Sequence, residues 1–465
     1  MMPSGGAAGR SEQLAELKAV QHGLLTAPEV EEWLDQASSQ DDLSGEQQAN
    51  LNEMKRTWIH ATALSENLVI ALSKSEAACE NVWRTARENA DFALVHPKLE
   101  ELLIVVKEVA AAKAERLGLS LYDALLDQYE PDMRSEEIDK EFSSLEEFLP
   151  DFLQRVLAHQ AQQESIAQPQ GPFPIEKQKS LGIHFMKALG FDFDHGRLDV
   201  SLHPFSGGTS EDLRITTRYD ENDFTTSLMG VLHETGHALY DKGLPTDWRM
   251  QPAGEARGMG MHESQSLLIE MQICRSRDFI KFATPFIAEA FNGEGLAWQT
   301  DNLYRLYTCV KPDFIRVDAD EVTYPAHVIL RYRLEKAMIE GNLDTKDLPE
   351  AWNESLAKLL GITPPSDRDG CLQDIHWYDG AWGYFPTYTL GAMMAAQIFQ
   401  AAKNADSSII PGIQNGDFRP LMEWLRQNIH SKGSLHSTKE ILIQATGKPL
   451  DAEIFKNHLE NRYLQ

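Results

Sequence analysis

Residues 226–243 read TSLMGVLHETGHALYDKG and contain His233-Glu234-Thr235-Gly236-His237. The apolar residues Leu228, Val231, Leu232 and Leu239 recur at helical spacing. Asp223 or Thr225 can cap the start and Gly243 can end it, so a buried helix is expected here. In a helix, side chains four apart lie one turn apart on one face. His233 and His237 are then placed to hold one metal ion with Glu234 beside them, the HExxH pattern of zinc hydrolases. The competing reading is two histidines satisfied inside a helical core, and the rest of the chain has to decide.

Catalytic zinc usually takes three protein ligands and leaves a fourth position for water. The longer HExxHxxGxxH form fails, because Tyr240 and Gly243 stand where its glycine and last histidine belong. The third ligand must come from elsewhere. Glu263, in Gly260–Gln265 (GMHESQ), is the first choice; it opens a second apolar helix (Leu267, Leu268, Met271) that can pack antiparallel to the first. Glu270, seven residues on, is the alternative, and a helix N-terminal acid is the other role open to Glu263. With zinc on His233, His237 and Glu263, Glu234 would accept the proton of the zinc-bound water and pass it to the leaving amine. Amide hydrolysis also creates an oxyanion that needs donors. His376, Tyr384 and Tyr388, in Gly370–Tyr388 (GCLQDIHWYDGAWGYFPTY), are the candidates.

Composition narrows the class. A chain of 465 residues can bury a large core, and a formal net charge of −28 argues against nucleic acid or an anionic membrane as partner. Cys79, Cys274, Cys309 and Cys371 are far apart and form no CxxC, which suits a reduced, cytoplasmic protein. The first ten residues, MMPSGGAAGR, read as a flexible terminus with no secretory h-region. The most apolar run, Leu102–Ala112, is interrupted by Lys107 and Glu108, so no membrane span is expected.

From Ser11 to about Gln163 the pattern is helical, with breaks expected at Ala27-Pro28, Asp41–Ser44, His96-Pro97, Glu130-Pro131 and Leu149-Pro150. The Gln/Pro-rich segment 159–174 is the internal linker candidate. Arg197–His203 and Asp212–Tyr219 read as two short strands separated by Pro204–Ser210, a small antiparallel sheet just before the metal-binding helix. Helices dominate again from Asp223 onward. The fold class is mainly α with a minor sheet.

The chain resembles the M32 metallocarboxypeptidases, the thermostable carboxypeptidase Taq family, by an ordered set of motifs: HPF at His203–Phe205, DxRxT at Asp212–Thr216, HExxH at His233–His237, HES(G/Q) at His262–Gln265, IRxxAD at Ile315–Asp320 and GxxQDxHW at Gly370–Trp377. The resemblance implies a single domain over 11–465 in two helical lobes with a central groove, like neurolysin and angiotensin-converting enzyme. It implies one Zn2+ per chain, with Co2+ able to substitute, a homodimer, and an exopeptidase of broad specificity acting on peptides with a free carboxy terminus. It makes Glu263 the third ligand, and maps the oxyanion donors onto His376 and Tyr388, with Tyr384 as a further candidate.

To prefer a free carboxy terminus, a site must hold a carboxylate one residue beyond the scissile bond, most naturally with an arginine fork. Arg316 is the first choice and Arg214 the second, each with bracing of a motif acid such as Asp212 or Asp320 as its other role; His203 is expected to line the same end. Two other functions stay open at this point. One is an endo-acting or dipeptide-releasing zinc oligopeptidase on the same fold; the other is a non-catalytic peptide-binding protein, against which the intact Glu234 speaks.

Overall fold

The structure is a computed structural model that describes residues 7–201 and 204–465. In chain order its helices begin with α1 (Ala7–Leu25), α2 (Pro28–Ser38), α3 (Gly45–Thr62), α4 (Glu66–Asn89), α5 (Phe92–Leu117), α6 (Leu121–Leu126), α7 (Ser135–Gln160) and α8 (Ile175–Leu189). After the strands come α9 (Thr225–Gly243), α10 (Gly258–Leu267), a π-helical turn (Leu268–Cys274), α11 (Arg277–Phe291), α12 (Thr300–Tyr307), α13 (Tyr324–Glu340) and α14 (Leu348–Leu360). The remainder is α15 (Pro386–Ala405), α16 (Ile409–Asn415), α17 (Arg419–Asn428), α18 (Thr438–Thr446) and α19 (Ala452–Tyr463). The mainly helical fold expected from the sequence is what forms.

Two compact units share the chain. One comprises Met1–Glu146, Pro312–Ala319 and Ala326–Pro386; the other comprises Glu147–Lys311, Asp320–Pro325 and Thr387–Gln465. The division passes through α7, so the segment 159–174 joins α7 to α8 within the second unit. Of the ten residues expected to form a loose terminus, Ala7–Arg10 make the first turn of α1, as the high helix propensity of alanine favours, and the six before them lie outside the described residues.

Several helix ends follow local chemistry. Pro28 takes the first position of α2, and Ser44 with Gln47 forms a capping box on α3. Two expected breaks do not occur: α5 runs through Pro97 and α7 through Pro150. Each proline costs about 3 kcal/mol in a helix interior. Burial of Val95, Leu99 and Leu102 around the first, and of Leu149, Phe152 and Leu153 around the second, outweighs it.

The sheet has three strands, β1 (Gly196–Val200), β2 (Phe205–Thr209) and β3 (Asp212–Thr217), in the order β1-β3-β2. It is mixed rather than antiparallel: β2 runs antiparallel to β3, but β1 runs parallel to it. The segment read as a connection, Pro204–Ser210, supplies β2 and folds back through Ser210-Glu211, which leaves β1 on the far side of β3 in the parallel sense. Met186, Phe191, Leu198, Leu213 and Ile215 pack with Val231 and Ala238 of α9, so the sheet and α8 form a firm bed for that helix.

Candidate metal centre and active site

The histidine pair lies on α9, within one residue of its expected limits. Asp223 accepts from the Thr225 backbone N–H at 2.8 Å and from the Thr225 hydroxyl at 2.6 Å, tying down the helix start. The other end stops at Leu244-Pro245, since proline cannot continue the ladder. Gly243 has a different duty from the capping role expected of it: a Cβ there would come 2.6 Å from the His430 ring.

α10 crosses α9 in the opposite sense. Going down α9, Asp241, His237 and His233 meet His262, Glu263 and Glu270 in ascending order, which is the antiparallel packing expected. The Glu263 Oε2 lies 3.3 Å from His237 Nε2 and 3.8 Å from His233 Nε2. One donor atom from each of the three residues falls within 4.8 Å of the others. Gly391 of α15 makes room for this carboxylate, because a Cβ on Gly391 would sit 2.9 Å from both Cβ and Cγ of Glu263. The Ser266 hydroxyl donates to Glu263 Oε2 at 3.1 Å.

Glu270, the alternative ligand, turns instead to the other face of the imidazole. Its Oε2 is 2.9 Å from His233 Nδ1, and its Oε1 accepts from Arg275 Nη2 at 2.7 Å. A carboxylate on Nδ1 fixes the ring with Nε2 turned toward Glu263, the nitrogen that a metal ion would take in place of its proton. The second ring is held differently: His262 stacks on His237 at 4.5 Å between centroids, and its own Nε2 is 3.0 Å from Asp241. The sequence reading missed this bracing by His262, although its place in the HES motif was a signal.

Charge in this pocket asks for a cation. Burial alone would lower His233, but Glu263, Glu270 and Glu234 together push it up to about 10. Burial lowers His237 to about 4, with the neighbouring histidines adding to it. The positive charge therefore sits on His233, beside the carboxylates, while His237 is neutral. Burial works to raise Glu263, but both histidines and Ser266 outweigh it and keep it ionised. Two imidazole nitrogens and a carboxylate oxygen, converging beside further carboxylates, are a donor set that fits a divalent metal ion. Glu234, next to the first histidine and largely buried, is raised to about 7 by that burial, poised to exchange a proton near neutrality.

The remaining candidates divide between the units. In the first, Arg316 pairs with Asp374 (Nη2 to Oδ1, 2.8 Å) rather than with Asp212 or Asp320, and fully buried Arg331 holds the other oxygen at 2.6 Å. His376 lies 5.6 Å from Tyr384 between ring centroids; burial lowers it to about 3, so its ring is neutral and carries one N–H donor. In the second unit, Tyr388 meets Tyr324 edge-on at 6.4 Å. Arg214 is exposed on β3 and pairs with Asp212 at 2.7 Å. His203 lies outside the described residues.

Comparison with known proteins places this geometry in context. The family model for the carboxypeptidase Taq (M32) metallopeptidases matches residues 1–463. Thermostable carboxypeptidase 1 of Thermus thermophilus is 37% identical, covering 100% of this chain and 92% of its own. Carboxypeptidase 1 of Bacillus subtilis is 35% identical over 99% of this chain and 92% of its own. Among solved structures, metallocarboxypeptidase 1 of Trypanosoma cruzi superposes with a TM-score of 0.96 at 41% identity, covering 100% of this chain and 94% of that one. With its histidine pair, its converging glutamate and whole-length likeness to these enzymes, the chain belongs to the M32 family of metallocarboxypeptidases.

Proposed function

We propose that this metallocarboxypeptidase is a zinc enzyme that removes carboxy-terminal residues from peptides with broad specificity. The observation that carries the reading is the convergence of His233 Nε2, His237 Nε2 and Glu263 Oε2 on one point of the second unit. Zinc, when bound there, supplies a Lewis acid that polarises the scissile carbonyl and lowers the pKa of water; Co2+ has the same ligand preferences and can substitute. Glu234 takes a proton from the attacking water and returns it to the leaving amine nitrogen. Glu270 and Arg275 fix the tautomer of His233 throughout. His376 and Tyr388, with Tyr384 as the further candidate, donate hydrogen bonds to the oxyanion. Arg316 receives the terminal carboxylate of the substrate; Arg214 and His203 are the secondary candidates at that end.

The reading includes a homodimer working in the cytoplasm; no described helix is long and apolar enough to cross a membrane. Its test is incubation with an unblocked peptide and its amidated twin, with and without chelator, followed by mass. A ladder of single-residue losses from the free-acid peptide, abolished by chelation and restored by zinc, is the expected result. Internal fragments or dipeptides would point to an oligopeptidase instead.

A further inference from the structure

The π-helical turn Leu268–Cys274 carries Glu270, the carboxylate that orients His233, and is itself fastened from α19. At the carboxyl end of a helical segment the last carbonyls have lost their intrahelical donors and need partners. Here Arg462 meets two of them: its Nη1 donates to the Met271 carbonyl and its Nη2 to that of Gln272 at 3.2 Å. The same Nη1 pairs with Glu321 Oε2 at 2.9 Å.

Glu321 is almost fully buried and is the hub of the fastening. Besides Arg462 it accepts from the Tyr463 hydroxyl at 3.0 Å and the Gln272 side-chain amide at 2.9 Å, and it lies 2.8 Å from His458 Nε2. Gln272 belongs to the π turn, so the carboxylate reaches that turn both directly and through Arg462. The guanidinium fork suits this because one planar group can serve two carbonyls and a carboxylate at once, which a single ammonium cannot.

We infer that Arg462 and Glu321 are positioning residues for the metal centre, holding the π turn in the register that delivers Glu270 to His233 Nδ1. This rests on the metal site read above. The line of contact is continuous: Arg462 to the Met271 and Gln272 carbonyls, one and two residues beyond Glu270, then Glu270 to His233, whose Nε2 faces Glu263. Loosening the turn lets Glu270 withdraw, and the imidazole loses the partner that fixes its orientation. Outer partners of this kind typically change metal affinity by about 10- to 100-fold when lost.

The test is zinc affinity by chelator competition, with the visible spectrum of the Co2+-loaded protein as second readout, on full-length wild type, Arg462→Met, Glu321→Gln and Tyr463→Phe. Arg462→Met is expected to bind zinc about tenfold more weakly with an altered cobalt spectrum, and Glu321→Gln a few-fold more weakly. Tyr463→Phe removes one bond to Glu321 but leaves the grip on the carbonyls, and should match wild type. Should Arg462→Met not fold, Arg462→Lys takes its place with the same expected loss. Wild-type affinity and spectrum in the Arg462 and Glu321 variants overturn the inference, as does an equal loss in Tyr463→Phe, which would reveal general destabilisation. Failure of wild type itself to bind either metal would instead sink the reading of the metal centre.

Discussion

Gly236 of α9 lies directly against Ser266 of α10: a Cβ on Gly236 would come 2.6 Å from the Ser266 Cα and 2.5 Å from the Gln265 carbonyl oxygen. Both obstacles are backbone, so neither can swing aside. The separation of the two helices, and with it the distance from His237 to Glu263, is set by the missing side chain. Gly236→Ala is therefore expected to lower stability by about 1–3 kcal/mol and to weaken zinc binding. Gly230, on the same helix, has only the Thr217 hydroxyl at 4.0 Å before it. Gly230→Ala should be neutral or stabilising by up to about 1 kcal/mol. Denaturant unfolding and metal titration of the two variants check this, and equal behaviour would refute it.

Glu234 touches no partner that needs it for folding in the way Glu263 and Glu270 do, and its proposed task is proton transfer alone. Glu234→Gln should keep its metal, measured by elemental analysis, while turnover falls by about 10²- to 10⁴-fold. Loss of metal in this variant would move Glu234 from chemistry to metal holding.

Arg316 is tied to Asp374, which Arg331 grips from the other side. Removing one partner of a buried pair outright costs about 3–5 kcal/mol, so the informative change is Arg316→Lys, which keeps the charge and loses the fork. It should raise KM for free-acid peptides more than it lowers kcat, with kcat/KM down by about tenfold or more. Slow cleavage of amidated peptides should be unaffected. An unchanged KM would assign Arg316 to bracing.

Glu335, in the first unit, predicts a pH effect on stability. It is fully buried, accepts from the Tyr122 hydroxyl at 2.5 Å and from Trp377 Nε1 at 2.9 Å, and burial still raises it to about 7. A folded-state value above the ordinary carboxylate one means that the folded protein binds this proton more tightly than the unfolded chain. Its contribution to stability is complete below about pH 4.5 and is lost as pH rises through 7, about 3 kcal/mol in all. Between pH 4.5 and 8 the wild type should thus lose that much more stability than Glu335→Gln. Parallel stability profiles for the two proteins would count against the assignment.

The parts of this molecule that could be read in the sequence are those where chemistry dictates spacing. HExxH requires a helix of one register, and α9 starts within one residue of the expected place. Glu263 was within reach because zinc needs a third ligand and because it stands on a second apolar helix able to pack against the first; family likeness then supported its choice over Glu270. Geometry then separates them, since Glu270 meets the Nδ1 side of His233 and Glu263 the Nε2 side. Strand β2 escaped notice because Pro204, Gly207 and Gly208 have the composition of a turn, and only pairing with β3 draws Phe205–Thr209 into the sheet. Pro97 and Pro150 misled for the opposite reason: a strong local signal yields to buried apolar faces that lie distant in sequence. The polar stripe His327, Arg331, Glu335 on α13 went unread, because the partners of Arg331 and Glu335, namely Asp374, Tyr122 and Trp377, come from distant segments.

The wide spacing along the chain of the parts that build the second unit's site has a consequence for how a cell makes this protein. The residues proposed to hold the metal, His233, His237 and Glu263, leave the ribosome long before Gly391, against which Glu263 is seated, and before Arg462, which fastens the π turn. Chains emerge amino terminus first, at a few to some twenty residues per second. For several seconds the nascent polypeptide therefore displays its ligands without the frame that spaces them. The proposed ligand triad is thus complete in sequence well before it is complete in structure.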